Sequence, residues 1–389
     1  MTPFGDYFDF EMPSDPMGII AMPGTEQLAK KIDRYLIEWY NAKKKASRKR
    51  YIDKDTFLIS AVFPRFTTGD AKAMISETVR GIDLYIICDV GSYNVTYNMY
   101  GHAVFMSPDD HFADLKRVIS AAGGKPNRIT VIMPMLYGGR QHRRNARESL
   151  DCAMMLQELH AMGVKELITF DAHDPRVQNA TPLMGFDNFF PTYQMLKALA
   201  NRDEELVFDK NHFMIVSPDE GAMGRNIYYA SVLGLDLGMY YKRRDYSTVV
   251  NGRNTIVAHE YIGNSVMGMD VFVADDIVAT GDSIIHLAKD LKMRGANRIF
   301  ILATFALFTE GIDKFDAAYK EGLIEGVIST NLTYTIKELK SRKWYIEADM
   351  SKYIAYIVSA CNQSKSVSTL LEPVGKINEL ISRINSRKK

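Results

Sequence analysis

The chain has 389 residues, 47% hydrophobic and 24% charged, which excludes wholesale disorder and suits two domains better than one. Lysine and arginine total 48 against 47 aspartate and glutamate, a net charge of +1, so no global attraction to nucleic acid is expected. Any anionic ligand must then be held locally, and with no uninterrupted run of about 18 apolar residues no membrane span is expected.

Residues 1–18 carry four acids, three prolines and neither Lys nor Arg, and read as an acidic tail rather than a secretory signal. Three widely spaced cysteines, Cys88, Cys152 and Cys361, form no CxxC pair and fit a reducing compartment, so the expected location is the cytoplasm. Cys88 and Cys152 read as buried packing residues. Ile19–Gly24 reads as a strand and turn, followed by a helical pattern from Glu26 to about Tyr40. The basic run Lys43–Arg50 reads as a solvated loop or helix end.

From there a rhythm sets in. Apolar runs at Leu84–Gly91, Ile129–Gly139, Glu166–Asp174, His212–Gly221, Leu237–Arg244, Asp270–Asp282 and Arg298–Phe308 end in polar or glycine-bearing loops, and helical patterns follow several of them. Continuous apolar strands alternating with helices predict an α/β fold whose mainly parallel sheets are flanked by helices. Ligands in such sheets sit beyond the carboxyl ends of the strands, where the polar residues fall here. The strands divide into two successive units after the tail, residues 19–184 and 185–389, with a boundary near Gly185–Pro191.

The segment Asp270–Phe308 carries the strongest signal. An apolar strand is expected to end at Asp275–Asp276, with a short loop to Asp282 and a helix from about Ser283 that places Ile284, Leu287, Ala288 and Leu291 on one face. Two adjacent carboxylates can accept hydrogen bonds from vicinal sugar hydroxyls. Small turn residues and a helix N-terminus can present N–H groups to a phosphate. A solvated turn in which Asp282 or Ser283 caps the helix has the same spacing.

The loop Val273–Ser283 resembles the phosphoribosyl-diphosphate loop of the type I phosphoribosyltransferase fold, and other segments narrow the likeness to the ribose-phosphate pyrophosphokinase family. They are Phe66–Asp70, Gly139–Arg144, Asp171–Asp174, Ser217–Gly221, Lys242–Arg244, Thr330–Asn331 and Ser366–Leu371, in the family's order over residues 19–372. The resemblance implies two tandem phosphoribosyltransferase-like domains. It also implies an enzyme of nucleotide biosynthesis that moves the β,γ-diphosphoryl group of ATP onto ribose 5-phosphate.

It implies roles for named residues as well. Lys242 and Arg244 would stabilise the transferring diphosphate from a mobile loop that continues through Asn254. His173 and Asp219 would hold Mg²⁺. Arg140 and Gln141 would contact the nucleotide, and Phe66, Thr68 and Asp70 would reach adenine and ribose from a neighbouring subunit of a homo-oligomer, a hexamer in the family. Asp275 and Asp276 would face the ribose hydroxyls, with Ala279, Thr280, Gly281, Asp282 and Ser283 around the 5-phosphate.

The chain departs from the family pattern at four of these positions. Ala279 and Thr68 stand where the family has acids, His142 likewise, and Asp282 stands where it has glycine. A carboxylate at 282 would compete with the substrate phosphate for the same donors. Altered loops also fit a non-catalytic regulatory paralogue, or a related diphosphokinase with another sugar-phosphate acceptor.

Overall fold

A computed structural model describes residues 16–46, 54–144, 146–250 and 253–387, without the side chains of 46, 242–250 and 253–259. Most of the acidic tail, half of the basic run and the side chains of Lys242 and Arg244 therefore lie outside the described residues. The chain forms two compact units.

The first unit opens with β1 (Met17–Ala21) and α1 (Glu26–Ala46). The helix runs past the expected Tyr40 because Lys43, Lys44 and Lys45 oppose the negative end of its dipole. Leu28, Ala29, Ile32, Leu36 and Tyr40 bury one face of it. Two short hairpins, β2 (Ala61–Val62) with β3 (Met74–Ile75) and β5 (Thr96–Met99) with β6 (His102–Phe105), flank β4 (Asp83–Ile87) in the chain. Then come α2 (Pro108–Ala122), β7 (Arg128–Ile132), α3 (Asp151–Ala161), β8 (Glu166–Phe170) and β9 (Gly185–Phe189). A Ser107–Asp110 capping box and Pro108 start α2.

The sheet order is β1-β4-β7-β8-β9, with every neighbouring pair parallel. Leu84, Ile86, Cys88, Val131 and Met133 are fully buried in its core, where each large aliphatic side chain contributes about 1.5–3 kcal/mol. All three cysteines are buried and free.

The second unit contains α4 (Thr192–Arg202), β10 (Phe213–Ser217), α5 (Met223–Leu233), β11 (Asp236–Val250), β12 (Arg253–Ile262), β13 (Asp270–Val278), α6 (Asp282–Met293), β14 (Ile299–Ala306), α7 (Asp313–Lys320), β15 (Gly326–Thr330) and β16 (Tyr345–Ala348). Its sheet runs β12-β11-β10-β13-β14-β15-β16, parallel except for the β11–β12 pair. Ile284, Leu287, Ala288 and Leu291 are the buried residues of α6, the four that spacing placed on one face. Three helices close the chain: α8 (Ser351–Asn362), α9 (Ser368–Leu371) and α10 (Val374–Ser386).

The partition differs from 19–184 and 185–389. The first unit reaches Phe190 and takes back Asn331–Tyr334 and Asp349–Glu372, leaving Pro191–Thr330, Thr335–Ala348 and the final helix to the second. The reasons are local. β9 pairs with β8 as the fifth strand of the first sheet. α8 packs on α1, where Trp39 stacks on Tyr356 at 4.5 Å and Lys31 meets Asp349 at 2.9 Å. The Arg128 guanidinium, paired with Asp83, also donates to the Cys361 carbonyl oxygen at 2.7 Å.

Candidate active site

In the second unit, three segments meet at the carboxyl ends of β10 and β13. The loop after β10 carries Asp219. Its Oδ1 accepts from the Ala222 N–H at 3.1 Å, and its carbonyl oxygen accepts from the Ser217 hydroxyl at 2.8 Å. Buried Asn226 on α5 joins this loop to β13: its amide donates to the carbonyl oxygens of Ala222 and Ala274, both at 2.8 Å, and to the Ser217 hydroxyl at 3.2 Å. The β13 strand continues past the acid pair to Val278, because Ile277 and Val278 keep the register with Phe305 and Ala306 of β14. Only Ala279–Gly281 remain as a loop before α6.

A cleft of about 280 Å³ opens here, lined by Asp219, Asp275, Ala279, Thr280, Gly281 and Ser283 among others. Asp275 is 30% exposed, and its carboxylate lies 3.6 Å from the Arg225 guanidinium of α5. Burial and the adjacent Asp276 push its carboxyl up to about 8, with Arg225 pulling the other way. Asp276 is 5% exposed and does not line the cleft.

Gly281, at φ +87°, turns the chain into α6. Helix geometry leaves the first N–H groups of α6 without intrahelical partners. The Asp282 carboxylate does not line the cleft. It lies 2.7 Å from the Lys314 ammonium, which pulls its carboxyl below the ordinary value, and it is 64% exposed.

Three cleft residues, Tyr240, His286 and Asp290, were not anticipated. The Tyr240 hydroxyl donates to Asp290 at 2.5 Å, and Arg294 holds the same oxygen at 2.7 Å. This bond ties β11 to α6, and β11 is the strand whose next turn of pleat carries Lys242 and Arg244. Those two residues pair by backbone register with His259 and Ile256 of β12. The segment expected as an irregular loop is therefore strand on either side of residues 251–252. The signal was present as β-branched runs on both sides of an Asn-Gly pair.

The first unit gathers a second set of residues at the carboxyl ends of β7 and β8. Gly138, at φ +64°, allows the turn in which the Gln141 N–H donates to the Gly138 carbonyl oxygen at 2.8 Å, leaving Arg140 and Gln141 exposed. His142 lies 3.1 Å from Asp174, and its ring lies 5.4 Å from that of exposed His173. Burial pulls the His142 imidazole below its ordinary value, opposed by Asp174. The Arg176 side chain holds the Asp174 carboxyl far below the usual carboxylate range. The strand β9 fixes this loop, since Asn188 accepts from the Ala172 N–H at 2.9 Å.

Between β2 and β3, the Phe66 N–H donates to the Asp70 carbonyl oxygen at 2.7 Å, and the Thr68 hydroxyl donates to the Asp70 carboxylate at 2.8 Å. The Phe66 ring is 54% exposed. Asp219 belongs to the second unit and His173 to the first. Among the described residues no group of three or more His, Cys, Asp or Glu side chains is spaced to hold a metal ion, and no helix is long and apolar enough to cross a membrane.

Two family models match the chain: the N-terminal domain of ribose phosphate pyrophosphokinase over residues 17–163, and the phosphoribosyl transferase domain over residues 194–334. The ribose-phosphate pyrophosphokinase of Vibrio cholerae is 27% identical over 314 residues, covering 80% of this chain and 90% of that one. The Helicobacter pylori enzyme of the same name is 28% identical over 281 residues, covering 70% and 77%. A solved phosphoribosylpyrophosphate synthetase from Mycobacterium smegmatis shares the fold with a TM-score of 0.69 at 18% identity, covering 90% of this chain and 99% of that one.

Proposed function

We propose, for a chain that belongs to the ribose-phosphate pyrophosphokinase family, that it transfers the β,γ-diphosphoryl group of ATP to the anomeric hydroxyl of ribose 5-phosphate. The anomeric oxygen attacks the β-phosphorus, the bond from that phosphorus to the α-phosphate bridging oxygen breaks, and AMP leaves. The hydroxyl proton is lost, and phosphoribosyl diphosphate forms. One observation carries this reading: a single cleft holds a half-buried carboxylate at a strand end and the N-terminus of α6 behind a tight glycine turn. A ligand with hydroxyls at one end and a phosphate at the other matches that pairing.

In this reading Asp275 accepts from the ribose hydroxyls, and Thr280, Gly281 and Ser283 surround the 5-phosphate, with Ala279 and Asp282 as neighbours in the loop. The Asp276 N–H donates to Asp275 Oδ1 at 2.9 Å and so helps to orient that carboxylate. Lys242 and Arg244 act on the diphosphate as its charge is redistributed, a point charge beside a planar fork. Arg140 and Gln141 meet the nucleotide. Phe66, Thr68 and Asp70 serve the adenine and ribose of ATP bound by a neighbouring copy, which requires a homo-oligomer, a hexamer by analogy with the family.

The donor set fits Mg²⁺ that arrives with the nucleotide: Asp219 offers carboxylate oxygen at the cleft, and Mg²⁺ is held by one or two carboxylates plus substrate phosphates rather than by an all-protein cage. His173 would be the second protein ligand. Bound there, the ion would neutralise charge on the phosphate oxygens.

The test is incubation with ATP, Mg²⁺ and ribose 5-phosphate, with AMP and phosphoribosyl diphosphate measured as products. AMP formed only with another sugar phosphate would replace the acceptor. No AMP with any acceptor would point to a non-catalytic paralogue.

A further inference from the structure

We propose that Lys314 is a positioning residue of the phosphate loop, holding the Asp282 carboxylate away from the N–H groups that start α6. The proposal rests on the reading of Thr280–Ser283 as the 5-phosphate cradle. Asp282 occupies the first turn of α6, where a carboxylate is drawn toward the exposed N–H groups and the positive end of the dipole. In that position it would occupy the donors and repel an incoming phosphate.

The structure draws it chiefly toward α7, with the Thr280 side chain as its second partner. The Lys314 ammonium reaches across from the first turn of α7 to Asp282 Oδ1 at 2.7 Å and to Glu310 Oε2 at 2.5 Å. With two carboxylates on one ammonium the trio keeps a negative charge, so the effect is placement more than neutralisation. As a fold stabiliser so exposed a pair is worth little.

Its location gives it consequence. The next residue of α7, Phe315, is fully buried beneath the loop: a Cβ at Gly281 would lie 2.4 Å from its ring. That ring is held by Phe308 at 4.9 Å and Trp344 at 5.6 Å. Consecutive residues of α7 thus meet consecutive residues at the start of α6, Lys314 with Asp282 and Phe315 with Gly281. The lysine is fixed relative to the cradle by the packing beside it.

The experiment titrates the full chain with ribose 5-phosphate by calorimetry, which reads the cradle whether or not diphosphoryl transfer occurs. Lys314→Met should bind roughly fivefold more weakly, the scale of a charge acting at a helix terminus. Lys314→Arg should retain the wild-type affinity. Adding Asp282→Gly to Lys314→Met should restore it, because no carboxylate is left to fall back on the donors.

Lys314→Met binding as tightly as wild type would overturn the proposal. So would a double variant as weak as the single one, since the lysine would then act on the phosphate directly. A wild-type chain that takes up no ribose 5-phosphate would overturn the reading of the cleft and this proposal together.

Discussion

Asp275 stands 3.6 Å from Arg225, yet burial and the neighbouring Asp276 raise its carboxyl to about 8. The folded chain therefore binds a proton at this position more readily than the unfolded chain does. Stability contributed by Asp275 declines as pH rises through the interval between the ordinary aspartate value of 3.8 and about 8. Asp275→Asn removes that penalty: its melting temperature should exceed wild type by about 2–4 °C at pH 8 and by less at pH 5. An equal shift at both pH values would show that the carboxyl is not elevated. The same variant should weaken ribose 5-phosphate binding most above pH 8, where the ionised carboxylate is an acceptor-only group and the amide is not. Lys242 is the second residue whose role can be isolated. Lys242→Ala should lower kcat about 100-fold or more with the melting temperature unchanged; full turnover would remove it from the mechanism.

At the scale of elements, the cradle depends on how α6 begins. Gly281 combines φ +87° with a Phe315 ring that occupies the space of any Cβ. Gly281→Ala should cost about 1–3 kcal/mol, read as a lower guanidinium midpoint at constant slope. An unchanged midpoint would mean that the α7 ring yields freely. The β11–β12 hairpin is the other deciding element. Its base is tied to α6 through Tyr240 and Asp290, so the strand that leads to Lys242 is anchored to the helix that begins at the cradle.

At the scale of the whole molecule, each unit is assembled from segments distant in the chain. The first sheet ends at β9, but its covering helix α8 begins at Ser351. A fragment spanning residues 16–190 would leave Trp39 without Tyr356, and Phe170 and Phe189 without the Tyr353 ring. It should show no cooperative thermal transition, whereas the full chain should; a sharp melt of the fragment would show that α8 is dispensable.

The amino-acid sequence alone determined the strands buried on both faces, because parallel strands between helices read as unbroken apolar runs. It also determined the core face of α6, since helical spacing alone selects Ile284, Leu287, Ala288 and Leu291. The chain order of the family segments was legible for the same local reason. The strands β9 and β16 went unread, as Asp187–Asn188 and Glu347 interrupt their apolar runs. Tertiary structure alone decided that Asn226 joins the loop after β10 to β13, that Arg225 meets Asp275, and that Lys314 captures Asp282 from 32 residues away. Local spacing reports which side of one element is covered. Which side chains meet across elements follows from strand order and helix packing, and no single segment encodes that.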